Sequence, residues 1–264
     1  MIKLSIITIN YNDASGLQKT LESVACQTYA DFEQIIIDGG SSDGSKEIIY
    51  QFADLPILKD KFKWVSEKDN GVYNAQNKGI EKAKGEYCLF LNAGDYFVNN
   101  RVLEDVFSYE LTSDVIYGNL IVMLGEKVVG KSKGKAHTTF LDIYSSIIKH
   151  QASFIKRELF NKYGLYDESL KIVADWAFFF KTIGFNEVSL QYVDIDIACF
   201  DNNGISNNNS ELCKVERQKV LDQYMPALMQ EDYLLLQKYR GIRNIDKSKY
   251  GTMLFRILAK LFKC

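Results

Sequence analysis

The feature that most constrains this chain is a short apolar strand followed by a polar turn, which recurs four times in its N-terminal part. Continuous β-branched and aromatic runs predict buried strands at Lys3–Ile9, Glu33–Ile37, Phe62–Ser66 and Tyr87–Leu91. Apolar residues at helical spacing follow the first three strands, over Ser15–Gln27, Ser45–Phe52 and Val72–Lys84. Strands that alternate with helices in this way form a parallel sheet with right-handed crossovers. The predicted fold class is therefore α/β with a mostly parallel central sheet flanked by helices.

Each predicted strand ends in a cluster of polar residues, at Thr8–Asp13, Asp38–Ser42, Glu67–Gly71 and Asn92–Asp95. Loops are polar in most proteins, so one such cluster carries little weight by itself. The carboxyl ends of parallel strands, however, meet at one edge of the sheet, and open α/β sheets bind their ligands there. Four polar clusters at the same edge predict a ligand site built from these turns.

Composition excludes several broad classes of protein. The formal net charge is only −2, so the chain is not expected to bind nucleic acid. The five cysteines are scattered without a CxxC pair, which is typical of a reduced, cytoplasmic protein. No apolar run reaches the ~18 residues of a membrane-spanning helix, and the first residues do not resemble a signal peptide.

Two nucleotide-binding motifs are excluded by their sequence context. Gly125–Ser132 matches the pattern GxxxxGK[ST], but this motif requires a buried strand before it and a helix after it. Here Val128 and Val129 favour a strand, and a Lys-Gly-Lys segment follows instead of an apolar helix. No GxGxxG pattern follows the first strand, so the usual dinucleotide site is not expected.

Acidic residues take the place of a glycine-rich phosphate cradle. Asp38 and Asp69 follow the second and third strands, where their carboxylates would accept hydrogen bonds from a base or a ribose. Asp95 follows the fourth strand and offers oxygen ligands to a divalent cation, which typically binds one or two carboxylates together with substrate phosphates. Lys78, on the third helix, would balance phosphate charge. The residues alone thus predict a site for a nucleotide and a metal ion.

Longer stretches of the chain resemble glycosyltransferase family 2, whose members have the GT-A fold. The matching stretches, in order over residues 1–205, are SIITINYN, IIIDGGSSDGS, EKDNGVYNAQNKGIEKAKGEY, LNAGD, HQASF, GLYDESLKIVADWAFFF and FDNNGIS. The resemblance implies a Rossmann-like nucleotide-sugar-binding half at 1–98, a smaller mixed acceptor half at 99–205 and a C-terminal helical extension at 206–264. It also implies transfer of a sugar from a nucleotide sugar, usually a UDP-sugar, with inversion at the anomeric carbon.

The resemblance carries expected roles onto single residues of the nucleotide-sugar site. The matching positions are Thr8, Asn10, Tyr11, Asp38, Asp69, Asn77, Lys78 and Asn92. By this resemblance the first three line the nucleobase pocket, Asp38 holds the base and ribose, and the others lie around the uridine and its phosphates.

Catalytic residues are expected farther along the chain. Asp175 matches the general base of the family, and the alternative is an N-cap at the helix that begins there. Asp95 matches the acid retained from the Asp-x-Asp metal motif, so it is expected to hold Mn²⁺ or Mg²⁺. His150 is either a further metal or phosphate contact or a structural histidine. Trp176 is either an acceptor-binding residue or a core aromatic.

Two sites depart from the family pattern. Gly39 stands where the family has a second acid after Asp38. Asn92 and Gly94 stand where the metal motif usually has its two aspartates, so metal binding rests on Asp95.

The C-terminal part has a distinct composition. Asp201–Ser210 is an asparagine-rich loop, either a lid over the donor or an ordinary surface loop. Tyr250–Phe262 places apolar residues on one helical face and basic residues elsewhere, a pattern that suits an anionic membrane surface. Packing of this segment against the domain is the alternative.

The sequence as a whole predicts a cytoplasmic, inverting, metal-dependent glycosyltransferase that is peripheral at the inner face of the cell membrane. The expected acceptor is a lipid-linked sugar or an oligosaccharide in surface polysaccharide or O-antigen assembly. A nucleotidyltransferase is one alternative, but it would need a basic, glycine-rich loop after the first strand, and ITINYNDASG contains no Lys or Arg. A non-catalytic protein with the same fold is the other, because the metal motif is incomplete.

Overall fold

The structure is a computed structural model that describes residues 2–201 and 209–246, with side chains described up to residue 236. It divides into two units, Met1–Glu216 and Arg217–Cys264. The first unit therefore extends beyond residue 205 into the helix that begins at Ser210. Most of the asparagine-rich loop, 202–208, and the whole amphipathic segment lie outside the described residues.

One mixed sheet of nine strands forms the centre of the first unit. Its strands are β1 Leu4–Asn10, β2 Phe32–Asp38, β3 Phe62–Ser66, β4 Tyr87–Phe90, β5 Tyr96–Phe97, β6 Val115–Leu124, β7 Lys127–Ser132, β8 Ser153–Lys156 and β9 Leu190–Asp201. They lie in the order β3-β2-β1-β4-β8-β6-β9-β5, and β7 pairs with β6. This arrangement confirms the predicted α/β class.

Helices connect these strands or follow the last of them along the chain. Within the described residues they are α1 Ala14–Ala25, α2 Ser45–Ala53, α3 Val72–Lys82, α4 Val102–Phe107, α5 Phe140–Tyr144, α6 Arg157–Tyr163, α7 Ala174–Gly184, α8 Ser210–Tyr224 and α9 Ala227–Asp246. Short 3-10 turns lie at Pro56–Leu58 and His150–Ala152. None of the helices in the described ranges combines the length and the apolar character needed to cross a bilayer.

The first four strands form the predicted parallel half. β1 pairs in parallel with both β2 and β4, and β2 pairs in parallel with β3. Every residue of β1 and β2 is buried, which explains why their sequences are nearly continuous apolar runs rather than alternating ones. The strand order reverses between β1 and β4, and such a switch point opens a ligand crevice at the carboxyl ends of the strands.

Beyond β4 the elements differ from the sequence prediction. The apolar residues on either side of Gly118 predict two short strands, Asp114–Gly118 and Leu120–Leu124, but the structure has one long strand, β6. A Cβ on this glycine would lie 2.6 Å from the carbonyl oxygen of Ile195, so Gly118 allows close approach of β9 and does not end the strand. The sequence pattern of Thr138–Ile148 predicts a helix, but only α5 is helical, since Ser146 adopts a positive φ of 62° that a helix cannot continue through.

The excluded phosphate-loop motif forms a hairpin, as its two valines suggested. Gly125, with φ of 60°, lies in the turn between β6 and β7, which pair antiparallel. No helix follows β7 directly, so the backbone amides are not gathered at a helix N-terminus.

A close approach of two backbone segments makes Gly85 essential for packing β4 beside β1. A Cβ at this position would lie 2.6 Å from the carbonyl carbon of Leu4 and even closer to the amide nitrogen of Ser5. We expect Gly85→Ala to lower the free energy of unfolding by about 1–3 kcal/mol, the usual cost of overpacking. Urea unfolding at constant m-value measures this loss.

Gly130 on β7 provides the matched control. The nearest atom to a Cβ added at Gly130 would be Cβ of Val122 at 3.9 Å, which is an ordinary contact. Gly130→Ala should therefore change stability little. Equal effects of the two substitutions would contradict the packing argument.

Candidate functional site

A row of polar side chains lies in register at the carboxyl ends of the parallel strands. Asn10, Asp38 and Ser66 are neighbours across β1, β2 and β3. The Asp38 carboxylate accepts hydrogen bonds from Asn10 Nδ2 at 2.8 Å, from Ser66 Oγ at 2.6 Å, and from both the hydroxyl and the backbone N–H of Ser41. Burial opposes the charge, but these donors hold the pKa of Asp38 below its usual value.

The Asp38 carboxylate is already bonded within the protein. A carboxylate has about four acceptor sites, and donors from three neighbours occupy them on a residue that is fully buried. Asp38 therefore orders the sheet edge, and its expected contact with a base or ribose stays a prediction. Thr8 and Asn10 are also buried, but Thr8 Oγ1 and Asn10 Oδ1 have no hydrogen-bond partner within the described residues, so their expected place in a nucleobase pocket stays a prediction.

Tyr11 and Asp69 form the accessible part of this edge. Tyr11 is 68% exposed. A Cβ on Gly39 would lie 2.6 Å from Asp69 Oδ2 and 3.1 Å from the Tyr11 ring, so both side chains close around this glycine. Asp69 Oδ1 accepts the N–H of Gly71 at 2.9 Å, and in the described ranges no donor is bonded to Oδ2. A free carboxylate oxygen beside an exposed ring suits a nucleoside.

Two other residues expected at the donor site are held by protein neighbours. The buried Asn77 amide donates to the carbonyl of Tyr166 at 3.0 Å and to Glu168 at 2.9 Å, and it accepts the N–H of Tyr166 at 3.0 Å. It fixes the segment after α6, and its expected donor contact stays a prediction. Lys78 pairs with Glu67 at 2.7 Å, so a phosphate would compete with this carboxylate for the ammonium group.

Trp176 packs in the core. It is buried, its Nε1–H donates to the carbonyl of Ile143 at 3.2 Å, and its ring stacks on Phe180 with centroids 5.0 Å apart. This arrangement corrects the expected acceptor contact, since the ring offers no open face to a sugar, and it supports the core alternative.

The turn of residues 92–95 wraps around the hydroxyl of Thr20 on α1. This hydroxyl lies 2.7 Å from the carbonyl of Asp95 and 3.2 Å from that of Asn92, and it accepts the N–H of Gly94 at 3.1 Å. Gly94 has a φ of 92°, which favours glycine. The Asn92 amide oxygen accepts Gln76 Nε2 at 3.2 Å. The turn is thus fixed by α1 and α3.

Asp95 is a buried carboxylate with little compensation. Burial raises the pKa of Asp95 to about 7, although the nearby His150 and a hydrogen bond from Gln151 act in the opposite direction. Asp201 raises it further. A carboxylate that is costly to ionise in the free protein is one that a bound cation would stabilise strongly.

Asp175 lies in the first turn of α7, and its carboxylate is bonded by the backbone N–H of Trp176 and approached by the side chains of two other residues. His150 Nδ1 lies 2.7 Å from its Oδ2, and the Tyr73 hydroxyl lies 3.2 Å from its Oδ1. Burial opposes ionisation, but the His150 bond and charge hold the pKa of Asp175 below its usual value. The side chain is 23% exposed, so the carboxylate remains accessible to a ligand. An ionised, accessible carboxylate of this kind can accept a proton.

The hydrogen bond to Asp175 also fixes the role of the His150 ring. An ionised carboxylate only accepts, so Nδ1 carries the proton, and in the neutral ring Nε2 is left as an acceptor. Nε2 is buried and has no hydrogen-bond partner within the described residues. A histidine that donates one ring N–H to a carboxylate and keeps the other nitrogen free is the usual arrangement of a metal ligand.

These observations fit a divalent cation that is shared with substrate. The described residues hold no cluster of three metal-ligating side chains, so the protein alone does not form a complete cage. Asp95 and the free Nε2 of His150 supply an oxygen and a nitrogen, and Mg²⁺-type sites are commonly completed by substrate phosphates and water.

Three residues that build this site were not singled out from the sequence. Tyr73 and Gln151 bond to the two key carboxylates, and Thr20 holds the turn that carries Asp95. Tyr73 and Thr20 lie on the buried faces of α3 and α1, where helical periodicity indicates only packing. Gln151 follows His150 directly, and this adjacency was the one signal available.

Comparison with known proteins identifies the family of this chain. The profile of Glycosyl transferase family 2 matches residues 5–164. A "PGL/p-HBAD biosynthesis glycosyltransferase" of Mycobacterium tuberculosis is 32% identical over 207 residues, which cover 77% of this chain and 78% of the relative.

Solved structures show a similar fold at low sequence identity. S. aureus TarS in complex with UDP-GlcNAc aligns with a TM-score of 0.68 and 20% identity, over 88% of this chain and 70% of its own. In the complex of TarS with UDP the aligned part is 60% of that chain. The mannosyltransferase PcManGT from Pyrobaculum calidifontis, in complex with GDP-Man and Mn²⁺, aligns with a TM-score of 0.61 and 15% identity, over 98% of this chain and 80% of its own. With the family profile matching more than half of its length, the chain belongs to glycosyltransferase family 2 and is a glycosyltransferase with the GT-A fold.

Proposed function

We propose that this glycosyltransferase inverts the anomeric carbon as it moves a sugar from a UDP-sugar to an acceptor hydroxyl, with Asp175 as the general base. The observation that carries the proposal is the Asp175 carboxylate, held ionised by His150 at 2.7 Å and still 23% exposed. Inversion needs a group that removes the proton of the acceptor hydroxyl as that oxygen attacks.

The donor nucleoside would bind at the open part of the sheet edge. Tyr11 offers an exposed ring, and Asp69 Oδ2 offers an acceptor to a base N–H or a ribose hydroxyl. UDP as the nucleotide is supported by the complexes of TarS, and GDP is the competitor suggested by PcManGT. Asn92, at the end of β4, would lie next to the sugar diphosphate.

The chemical step is one displacement. The acceptor hydroxyl donates a hydrogen bond to Asp175, its oxygen forms the new bond to the anomeric carbon, and the bond from that carbon to the diphosphate breaks. The proton passes to Asp175, and the electron pair leaves with the nucleoside diphosphate. His150 keeps the carboxylate oriented during the transfer by donating to Oδ2, and the Tyr73 hydroxyl, which shares its single proton with the carbonyl of Ile172, lies beside Oδ1.

Asp95 and His150 would hold Mn²⁺ or Mg²⁺, with the donor diphosphate completing the coordination. When bound, such an ion supplies Lewis-acid stabilisation of the leaving diphosphate. His150 bonds to the base through Nδ1, and its Nε2 would be the atom available to such an ion, so one ring would support both the base and the leaving group.

The acceptor is proposed to be lipid-linked or an oligosaccharide, in cell-surface polysaccharide or O-antigen assembly. Support comes from the apolar and basic pattern of the C-terminal sequence, which suits an anionic membrane surface, and from the role in glycoconjugate biosynthesis of the mycobacterial relative. By the same pattern the enzyme would be peripheral at the inner face of the membrane.

A nucleotide titration tests the donor. We expect UDP with Mn²⁺ to raise the melting temperature, because a ligand at ~100 Kd that binds only the folded chain adds about 2.7 kcal/mol of apparent stability. GDP, CMP and dTDP serve as matched ligands. A shift with GDP alone would replace the UDP-sugar by a GDP-sugar, and no shift with any nucleotide would contradict the donor site.

Asp175→Asn tests the base. The amide keeps the size of the side chain but cannot take a proton, so we expect kcat for transfer to fall by about 10²–10⁴-fold while UDP affinity stays unchanged. Steady-state kinetics and a UDP titration measure the two quantities. Asp105→Asn, on the exposed surface of α4, is the control and should match wild type. Full activity of Asp175→Asn would assign the base elsewhere.

Asp95→Asn tests the buried carboxylate through the pH dependence of stability. The folded form of Asp95 holds its proton up to about pH 7, so without metal the free energy of unfolding falls as pH rises from about 4 through 7. The asparagine removes this loss, which is on the order of 4 kcal/mol at most. We expect the variant to melt higher than wild type at pH 8 but not at pH 4, and to lose the Mn²⁺-dependent shift. An identical pH profile in the two proteins would contradict the assignment.

A further inference from the structure

A second buried carboxylate lies against the segment that leads into the catalytic helix. Glu216, on α8, is buried, and its carboxylate accepts the backbone N–H groups of Lys171 at 2.7 Å, Ile172 at 2.9 Å and Val173 at 3.3 Å. All of these residues belong to the first structural unit. Burying a charge is costly unless hydrogen bonds compensate it, and here three backbone donors do so.

These three donors lie at the N-terminus of α7. Val173 is the N-cap residue of this helix, and as a valine it has no side-chain oxygen to bond the free N–H groups. Glu216 instead accepts the N–H of this N-cap residue and of the two residues before it, and its negative charge interacts favourably with the positive end of the helix dipole. The start of α7 is thus fixed from outside.

The clamped segment also carries the contacts of the base. The Tyr73 hydroxyl lies 2.6 Å from the carbonyl oxygen of Ile172 and 3.2 Å from Asp175 Oδ1. Glu216 holds the N–H of Ile172, and Tyr73 holds the carbonyl of the same residue. A shift of Ile172 would therefore move Asp175 relative to both Tyr73 and His150.

We propose that Glu216 is a positioning residue for the general base, supplied by a helix that lies beyond the part matched by the family profile, residues 5–164. It sets the orientation of Asp175 by clamping residues 171–173, and it does not contact substrate. This inference rests on the proposed function of Asp175.

Substitutions in the full-length chain test the role. Glu216→Gln keeps size and one acceptor oxygen, whereas Glu216→Ala removes the clamp. We expect kcat to fall about tenfold in the first and about 100-fold in the second, with KM for the donor and Kd for UDP unchanged, because a displacement near 1 Å of a catalytic group costs that much. Steady-state kinetics with a UDP titration gives the kcat and KM split.

Chemical rescue distinguishes positioning from loss of structure. Formate is small enough to occupy the space left in Glu216→Ala and to accept the same N–H groups. We expect formate to restore part of kcat in this variant and none in Asp175→Asn. Amide hydrogen exchange should be faster over 171–176 in Glu216→Ala and should slow again with formate.

Glu211→Gln and Glu211→Ala are the matched controls. Glu211 lies on the same helix, is 82% exposed and, among the residues that the structure describes, pairs with Lys214 at 3.2 Å, so its substitutions should match wild type. Equal loss in kcat and donor affinity in the Glu216 variants, or wild-type kcat in Glu216→Ala, would overturn the inference. A wild-type chain without transfer activity would instead refute the proposed function, and this inference with it.

Discussion

The site depends on one partly buried carboxylate whose donors come from both halves of the sheet. Tyr73 belongs to α3, which packs on the parallel strands β1 and β2, whereas His150 precedes β8 in the mixed half. An unpaired charge at this position would cost several kcal/mol, so the fold must bring both donors to Asp175. Burial and the neighbouring charge raise the pKa of Tyr73 well above its usual value, so the phenol remains a neutral donor.

Two carboxylates near His150 have opposite electrostatic environments. Asp175 receives the direct His150 bond, and its pKa falls. Asp95 is more deeply buried, has the neutral amide of Gln151 as a side-chain donor, and its pKa rises to about 7. Environments that shift the pKa values of two acids in opposite directions often mark different chemical roles. The pair suits an always ionised base and a second acid whose charge is favoured once a cation is present.

The sequence predicted the parallel half well because strands buried on both faces need continuous apolar runs. It also singled out Asp175 and His150, but not their contact, since 25 residues and a strand separate them. Asp38 shows most clearly what could not be predicted from the sequence. Residue type and strand-end position do not reveal that register places Asn10 and Ser66 on either side of this carboxylate and uses up its acceptor sites. Trp176 was ambiguous for a related reason, because an aromatic residue suits a sugar and a core equally.

The sheet edge also gives a physical explanation for Gly39, which replaces the second acid of the family pattern. The family pattern has a second acid here, yet a Cβ at Gly39 would lie 2.6 Å from Asp69 Oδ2. The carboxylate of Asp69, supplied by the turn after β3, therefore occupies the space that a side chain at 39 would need. Two acids in this volume would also repel each other. The glycine at position 39 therefore goes together with the position of Asp69. The sheet edge still has one free carboxylate beside Tyr11, but the turn after β3 provides it instead of residue 39.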